Sequence, residues 1–174
     1  MVGIERIPPP GRLIIGVLFG GEGDISTAER LVSLLYGPVF RRSNTVPFRT
    51  FSDHYEREMG KEINRCFWAF KPPFPRGALA EAKLGTNRIE RRLAREGNRG
   101  INLDPGLLTP EALILATTKP HYHRIYLSKG IYGELTLLYQ RKEFDVMPWT
   151  YPDYREQWAR SFFKGVRDEL LDCE

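Results

Sequence analysis

The chain has 174 residues, enough for one domain with a well-developed core and short for two, and its apolar fraction of 41% is ordinary for a globular protein. No apolar run is long enough to cross a bilayer, and the net charge of +4 permits a nucleic-acid or nucleotide partner without requiring one. We therefore expect a single soluble, cytoplasmic domain over residues 1–174 that does not contact a membrane. The two cysteines, Cys66 and Cys173, form neither a disulfide framework nor a metal-ligand spacing.

The first half of the chain predicts alternating strands and helices. A Pro-rich lead over residues 1–11 precedes the first strand, and Ser26 with Glu29 forms a capping box that predicts a helix ending at Gly37. The longest helical pattern, over residues 77–96, carries its apolar side chains within one arc. Runs of apolar and aromatic residues predict strands at residues 12–20, 39–51 and 63–70.

The second half predicts a short strand, a helix, a hairpin and a terminal helix. The strand at residues 99–104 is expected to end in an Asp-Pro-Gly turn, and the Thr-Pro-Glu sequence at residues 109–111 predicts the start of a helix. A hairpin follows at residues 121–139, then a short strand at residues 144–147. Apolar side chains at helical spacing predict an amphipathic C-terminal helix over about residues 154–171.

The order of these elements up to Asp104 is strand, helix, strand, strand, helix, strand. This is the order of a split βαβ, ferredoxin-like unit. We therefore predict an α+β fold with a ferredoxin-like core, to which the hairpin at residues 121–139 and the C-terminal amphipathic helix are added.

The hairpin has a polar face that core packing does not require. A three-residue loop, residues 128–130 with Gly130 in the left-handed conformation, sets Arg124 opposite Glu134 and Tyr126 opposite Tyr132. These side chains form the Tyr/Arg/Glu face, and the other side of the hairpin is expected to be core. The other predicted pairs are Tyr122 with Thr136, His123 with Leu135, and Leu127 with Ile131.

Residues suited to a ligand site occur on several of the predicted elements. They are cations for an anionic group, aromatic rings for stacking, and amides and carboxylates for hydrogen bonding or acid/base chemistry. No spacing typical of metal ligands is present, so no metal site is predicted. The predicted ligand-binding residues are Asp53, Tyr55, Glu58, Lys83, Asn87, Asn102, Asp104, Lys119, Arg124, Tyr126, Tyr132, Glu134 and Trp149.

A purely structural interpretation of the same residues stays open. Arg124 and Glu134 would then form a cross-strand ion pair, and the tyrosines would cover the sheet. His123 lies on the apolar side in the predicted register, which favours a buried, hydrogen-bonded histidine over a catalytic base.

Seven short stretches of the chain resemble one prokaryotic family, catalogued as domain of unknown function 4416. The resemblance extends over nearly the whole chain, and it implies no established activity and no assigned catalytic residue. The stretches are DHYEREMG (53–60), KLGTN (83–87), INLDPG (101–106), TTK (117–119), HRIYL (123–127), KGIYGE (129–134) and PWTYPDY (148–154).

Some members of that family carry the label of GTP-binding proteins, which the residues can test. The Gly-rich stretch at residues 20–23 matches neither the dinucleotide nor the Walker pattern, and we interpret it as a turn. The sequence most similar to the guanine-binding motif Asn-Lys-x-Asp is TKPH at residues 118–121, which lacks the aspartate. The sequence therefore excludes a standard P-loop GTPase.

Three functions are consistent with the sequence. The first is a small-ligand site, for a nucleotide or another phosphorylated metabolite, on the Tyr/Arg/Glu face. The second is RNA binding by a ferredoxin-like sheet and the arginines of the helix at residues 77–96. The third is a protein-interaction role for the terminal helix or the loop at residues 148–154. The sequence assigns no reaction and no cofactor.

Overall fold

The fold is described from a computed structural model, which describes residues 3–20, 22–48, 59, 62–95 and 98–172. The helices of these residues are α1 (Glu22–Tyr36), α2 (Leu79–Leu93), α3 (Pro152–Arg155) and α4 (Gln157–Leu171), with a 3-10 turn at Arg76–Ala78. The strands are β1 (Gly11–Phe19), β2 (Val39–Arg42), β3 (Val46–Pro47), β4 (Asn64–Phe74), β5 (Ile101–Leu108), β6 (Ala112–Thr117), β7 (Arg124–Ser128), β8 (Ile131–Gln140) and β9 (Glu143–Val146).

All nine described strands belong to one sheet. Its order is β2-β4-β1-β5-β6-β8-β7, with β3 paired to β4 and β9 paired to β8. Every one of these pairings is antiparallel. The predicted mixture of helices with a sheet and the predicted C-terminal helix are confirmed. Along the described residues, no helix combines the length and the apolar character needed to cross a membrane.

The sheet carries a layer of helices on each face. On one face, alternate residues of β1 such as Leu13, Ile15 and Val17 pack with side chains of α1 and α2. Cys66 belongs to this core, and burial raises the pKa of its thiol to about 12, so it is an unreactive apolar side chain. On the other face, Ile14 and its neighbours pack with α4.

The second face is centred on Phe67 of β4. Its ring stacks on Trp158 at 5.3 Å between centroids and contacts Tyr154 at 4.9 Å and Phe163 at 4.8 Å. The predicted terminal helix is interrupted at Glu156, whose extended backbone (φ −61°, ψ 143°) separates α3 from α4. Tyr154 therefore lies on the short α3 and not on the long helix, although it is buried as the pattern predicts.

Two boundaries differ from prediction in the first half of the chain. Helix α1 begins at Glu22, so Ser26 lies inside it, and part of the Gly-rich stretch is helical and not a turn. Asp24 then falls in the first turn, where the helix dipole favours a negative charge. The predicted end at Gly37 is confirmed, and this glycine has the positive φ (85°) of a helix C-cap.

The predicted helix at residues 109–111 is wrong, because the chain forms a β-hairpin there. Thr109 Oγ1 accepts hydrogen bonds from the backbone N–H groups of Glu111 (3.2 Å) and Ala112 (3.1 Å), which closes a tight turn between β5 and β6. The sequence that follows supplies a strand whose Leu113 and Leu115 are buried. Tertiary packing thus decides between strand and helix for a short apolar run.

The predicted Asp-Pro-Gly turn is also wrong, since β5 runs through Pro105 to Leu108. Pairing of β5 with β6 begins only at Gly106, opposite Leu115, whereas β5 pairs with β1 along its whole length. On its β6 side Pro105 therefore has no strand partner, the setting in which a strand tolerates proline. The same arrangement opens the sheet, because β5 before Gly106 and the end of β6 diverge.

The register of the β7–β8 hairpin is confirmed at its two central pairs, Arg124 with Glu134 and Tyr126 with Tyr132. Gly130 has the predicted positive φ (77°), but Lys129 has one too (52°), so the connection is a two-residue turn. A bulge follows Tyr126 and sets Ser128, not Leu127, opposite Ile131. The predicted pairs of Tyr122 and His123 are not formed, because both residues precede β7.

The two faces of this hairpin are buried differently from the prediction. Ile131 packs in the core, but Ile125 is 74% exposed and Leu127 is 41% exposed, because β7 is an edge strand. On the Tyr/Arg/Glu face, Glu134 is only 1% exposed. The carboxylate of Glu134 is thus buried, although it belongs to the polar face of the hairpin.

Replacement of Phe67 by alanine should lower the free energy of unfolding by about 3–5 kcal/mol, because it removes the ring that α3 and α4 pack against. Ile125→Ala is the control, since its exposed side chain should contribute within about 0.5 kcal/mol. Urea denaturation measures both. Equal losses for the two variants would contradict this description of the core.

Candidate functional site

A cavity of about 450 Å³ lies where β5 and β6 diverge. Its walls come from α2, β4, β5, the end of β6, β8 and the segment around α3. The lining residues are Phe48, Arg65, Lys83, Asn87, Glu90, Arg99, Asn102, Asp104, Leu115, Ala116, Thr117, Thr118, Lys119, Glu134, Tyr151, Pro152, Asp153 and Tyr154.

The structure brings six of the predicted site residues to this cavity. They are Lys83, Asn87, Asn102, Asp104, Lys119 and Glu134. Arg124, which was also predicted, does not line the cavity but donates a hydrogen bond from Nε to Glu134 Oε2. Asp53, Tyr55 and Glu58 lie outside the described residues, so their assignment stays a prediction.

The three predicted aromatic residues that the structure describes, Tyr126, Tyr132 and Trp149, do not line the cavity. Tyr126 and Tyr132 form an edge-to-face pair with each other, 5.4 Å between centroids, on the hairpin. Trp149 stacks on His123 at 4.7 Å and donates from Nε1 to the carbonyl of Leu135 (2.8 Å). Tyr151 and Tyr154, from the same segment as Trp149, supply the aromatic lining instead.

One wall is a hydrogen-bonded network between α2 and β5. The ammonium of Lys83 donates to Asp104 Oδ1 and to the carbonyl of Leu103, both at 3.2 Å. Asn102 Nδ2 donates to Asp104 Oδ2 at 2.6 Å. Burial acts to raise the pKa of Asp104, but the positive charges of Lys83 and Arg65 outweigh it and hold that pKa below its usual value.

Glu90 extends the same wall. Its Oε1 accepts the backbone N–H of Leu103 at 2.7 Å, and its Oε2 lies 3.5 Å from Arg99 Nη1. The residue is only 6% exposed, and burial raises the pKa of its carboxyl despite the opposing charge of Lys83. The pKa values of the two carboxyls of this wall are therefore shifted in opposite directions, upward for Glu90 and downward for Asp104.

A second wall comes from the β7–β8 hairpin and carries Glu134. Glu134 Oε2 accepts hydrogen bonds from Arg124 Nε (2.7 Å) and His123 Nε2 (2.9 Å). Arg124 also donates to the carbonyl of Lys119 (2.9 Å) and to the hydroxyl of Tyr151 (3.1 Å). The guanidinium of Arg124 therefore ties the hairpin to the end of β6 and to the segment before α3. His123 is hydrogen-bonded, with a side chain only 7% exposed, as predicted.

The third wall joins β4 to α3 through a buried ion pair. Arg65 Nε lies 2.7 Å from Asp153 Oδ2, and both side chains are at most 5% exposed. Gly16 of β1 leaves room for this pair, because a Cβ there would lie 2.4 Å from the hydroxyl of Tyr154 and 2.9 Å from Arg65 Nη1. A glycine in a strand often marks such a close approach.

Outside the Arg65–Asp153 ion pair, two buried polar atoms of the cavity walls have no hydrogen-bond partner among the residues that the structure describes. They are Oε1 of Glu134 and the hydroxyl of Tyr154. Burial raises the pKa of Tyr154 well above its usual value, so its hydroxyl is a neutral group able to donate. Buried polar groups in folded proteins almost always have partners, so a partner from outside the described residues is expected for these two atoms, whose residues line the cavity.

The sequence predictions omitted several lining residues, among them Arg65, Glu90, Tyr151, Asp153 and Tyr154. Glu90 flanks the apolar arc of α2, as Lys83 and Asn87 do, so the helical pattern contains a signal for it. Arg65 and Asp153 have no such signal, because their proximity depends on the sheet. No group of three or more His, Cys, Asp or Glu side chains able to hold a metal occurs in the described ranges.

The opposite pKa shifts of Glu90 and Asp104 predict that their contributions to the free energy of unfolding depend on pH in opposite directions. The raised pKa of Glu90 gives a contribution that is complete below its ordinary value of 4.5 and is lost as the pH rises through the raised value. The lowered pKa of Asp104 gives a contribution that is present above its ordinary value of 3.8 and is lost as the pH falls through the lowered value.

Urea denaturation from about pH 2 to about pH 7 of Glu90→Gln and Asp104→Asn measures both effects. Relative to the wild type, Glu90→Gln should gain stability as the pH rises, and Asp104→Asn should lose it. Profiles parallel to that of the wild type for both variants would contradict the two assignments.

Comparison with known proteins shows the family of the chain. Neither the curated proteins nor the solved structures contain a match to this chain. A family model, described as Domain of unknown function (DUF4416), matches residues 9–170, which include every lining residue of the cavity. The chain therefore belongs to the family DUF4416.

Proposed function

We propose that the protein binds a small polar metabolite carrying an anionic group, such as a nucleotide or another phosphorylated metabolite, in the cavity between β5 and β6. The observation that carries this proposal is the pair of buried, unpartnered atoms, Glu134 Oε1 and the Tyr154 hydroxyl, within the described walls. A ligand with complementary groups removes the cost of about 1–3 kcal/mol that each such atom imposes.

The size of the cavity supports a ligand of metabolite dimensions. Pockets for small molecules commonly enclose about 300–1,000 Å³, and this one encloses about 450 Å³. Its walls combine apolar side chains such as Leu115 and Ala116 with converging polar groups from separate elements. Such a mixture is typical of a binding site and not of a packing defect, which is lined by apolar groups.

The charges of the lining support an anionic group near Lys119. Lys83 and Arg65 are paired with carboxylates of the walls. Lys119 is an exposed residue just after the end of β6, and it lines the cavity without an ion-pair partner among the described residues. An ammonium at the mouth and the neutral hydroxyl of Tyr154 would both donate to a phosphate or carboxylate.

We also infer that the strands β2-β4-β1-β5 form a ferredoxin-like unit. Helix α1 connects β1 to β2 and helix α2 connects β4 to β5, and each helix passes over one intervening antiparallel strand. Both helices cover the same face. This pattern supports the split βαβ interpretation, and the strands from β6 to β9 extend it beyond β5.

RNA binding and a protein-interaction role stay predictions. An RNA-binding sheet of this topology needs an open face with aromatic side chains, whereas here both faces of the described sheet carry packed helices. The small-ligand site is therefore the function that the geometry favours.

A melting-temperature screen of nucleotides, phosphorylated metabolites and divalent metals should find ligands that stabilise the wild type, because a ligand bound only to the folded state raises its melting temperature. Tyr154→Phe should retain or increase the unfolding free energy without ligand, since it removes an unpartnered buried hydroxyl. It should weaken binding of the same ligand by about tenfold or more. A variant with unchanged affinity, or a screen in which nothing stabilises the protein, would contradict the proposal.

Lys119→Gln should weaken the binding of an anionic ligand by at least about fivefold, because it removes the unpaired ammonium at the cavity. Lys142→Gln is the matched control, since it removes the same charge from the turn between β8 and β9. Isothermal titration calorimetry at two salt concentrations measures both. Equal effects of the two substitutions would mean that only the net charge matters.

A further inference from the structure

The buried carboxylate of Glu134 is held in one orientation. In the sheet Glu134 pairs with Leu115 of β6 and with Arg124 of β7, and it is one of the residues that line the cavity. Both of its described donors, Arg124 Nε and His123 Nε2, bind the same oxygen, Oε2. The two contacts fix the carboxylate and leave Oε1 as its available acceptor.

A pair of histidines supports this orientation. His123 Nδ1 lies 2.9 Å from His121 Nδ1. The carboxylate accepts from His123 Nε2–H, and the two Nδ1 atoms share a hydrogen bond whose donor depends on the tautomers of the two rings. Trp149 stacks on the His123 ring with an interplanar angle of 13°. The ring of His123 is thus held on one side by an aromatic face and at both nitrogens by hydrogen bonds.

A carboxylate oxygen is an acceptor only, so the group that satisfies Oε1 must donate. A phosphate or carboxylate of the ligand cannot do so, and its negative charge would be repelled by Glu134. The anionic part of the ligand therefore lies away from Glu134, toward Lys119.

From these contacts we propose that the ligand is bifunctional and presents an amino group to Glu134 Oε1 while its anionic group faces Lys119. This inference rests on the proposed function and specifies its ligand class, an anionic metabolite that also carries an amine. A protonated amine is the donor that best matches the position, because a charge-assisted hydrogen bond to a buried carboxylate is about twice as strong as a neutral one.

Three small probes separate the two halves of this ligand. Ethyl phosphate carries the anion alone, ethanolamine carries the amine alone, and phosphoethanolamine carries both. Protein-observed NMR titration of the full chain gives their dissociation constants. On the wild type, phosphoethanolamine should bind about tenfold or more tightly than ethyl phosphate.

Glu134→Gln should reduce that preference to about twofold or less, because it removes the acceptor of the amine and also the charge that repels the anion of ethyl phosphate. Glu111→Gln is the control, because Glu111 is an exposed carboxylate outside the cavity. Lys119→Gln should weaken both phosphates equally. If Glu134→Gln does not fold, the wild-type preference decides, together with a shift of the His123 imidazole 15N signals on binding of the amine.

Equal affinities of the wild type for ethyl phosphate and phosphoethanolamine would overturn the assignment of an amine to Glu134 while leaving the anion site intact. Binding of ethanolamine without binding of ethyl phosphate would support the Glu134 assignment and contradict the anionic part of the proposed function. Failure of all three probes to bind would overturn both.

Discussion

The site depends on a single feature of strand pairing, the short contact between β5 and β6. Only Gly106, Leu107 and Leu108 of β5 pair with β6, although β5 begins at Ile101. Each strand keeps its other neighbour, so β5 stays with β1 and β6 stays with β8. The sheet therefore opens without losing its core, and the opening admits side chains from α2 on one face and from α3 on the other.

Charge pairing keeps the walls of this opening in place. Lys83 with Asp104 ties α2 to β5, Arg65 with Asp153 ties β4 to α3, and Arg124 ties the hairpin to Tyr151. A deeply buried ion pair such as Arg65 with Asp153 contributes little net stability, because desolvation offsets most of the attraction. The geometric effect of these pairs is larger, since they fix the positions of the groups that face the cavity. Glu134 Oε1 and the Tyr154 hydroxyl are the exceptions to this pairing in the described walls, and the proposed ligand is the group that would pair with them.

Much of the fold can be predicted from local sequence patterns. The predictions that were wrong share one cause, since they concern contacts between residues that are distant in sequence. Alternation of side chains predicts the central pairs of the hairpin, Arg124 with Glu134 and Tyr126 with Tyr132, because both depend on neighbouring residues. The segment after Thr109 forms a strand and not a helix. This run has six residues, four of them buried, and only its neighbours in the sheet, β5 and β8, decide between strand and helix. Glu134 is likewise buried on a strand that pairs with β6, and no local pattern predicts that pairing.

The residues of the candidate site also fall into those that a local pattern predicts and those that it does not. The helical pattern of α2 places Lys83 and Asn87 beside the apolar arc, and both reach the cavity. Tyr126 and Tyr132 do not, since the bulge and the edge position of β7 leave them on the hairpin. Arg65 and Asp153 meet only because β4 and α3 pack together, a contact between residues 88 positions apart that no local pattern contains.

The most direct test of the central claim is a backbone 15N chemical-shift map of the protein with a ligand that raises its melting temperature. The account predicts that the largest changes cluster at Lys83, Asp104, Lys119, Glu134 and Tyr154, which come from separate elements and meet only at this cavity. Large changes confined to the exposed arginines of α2 or to α4, with none at these five residues, would contradict it.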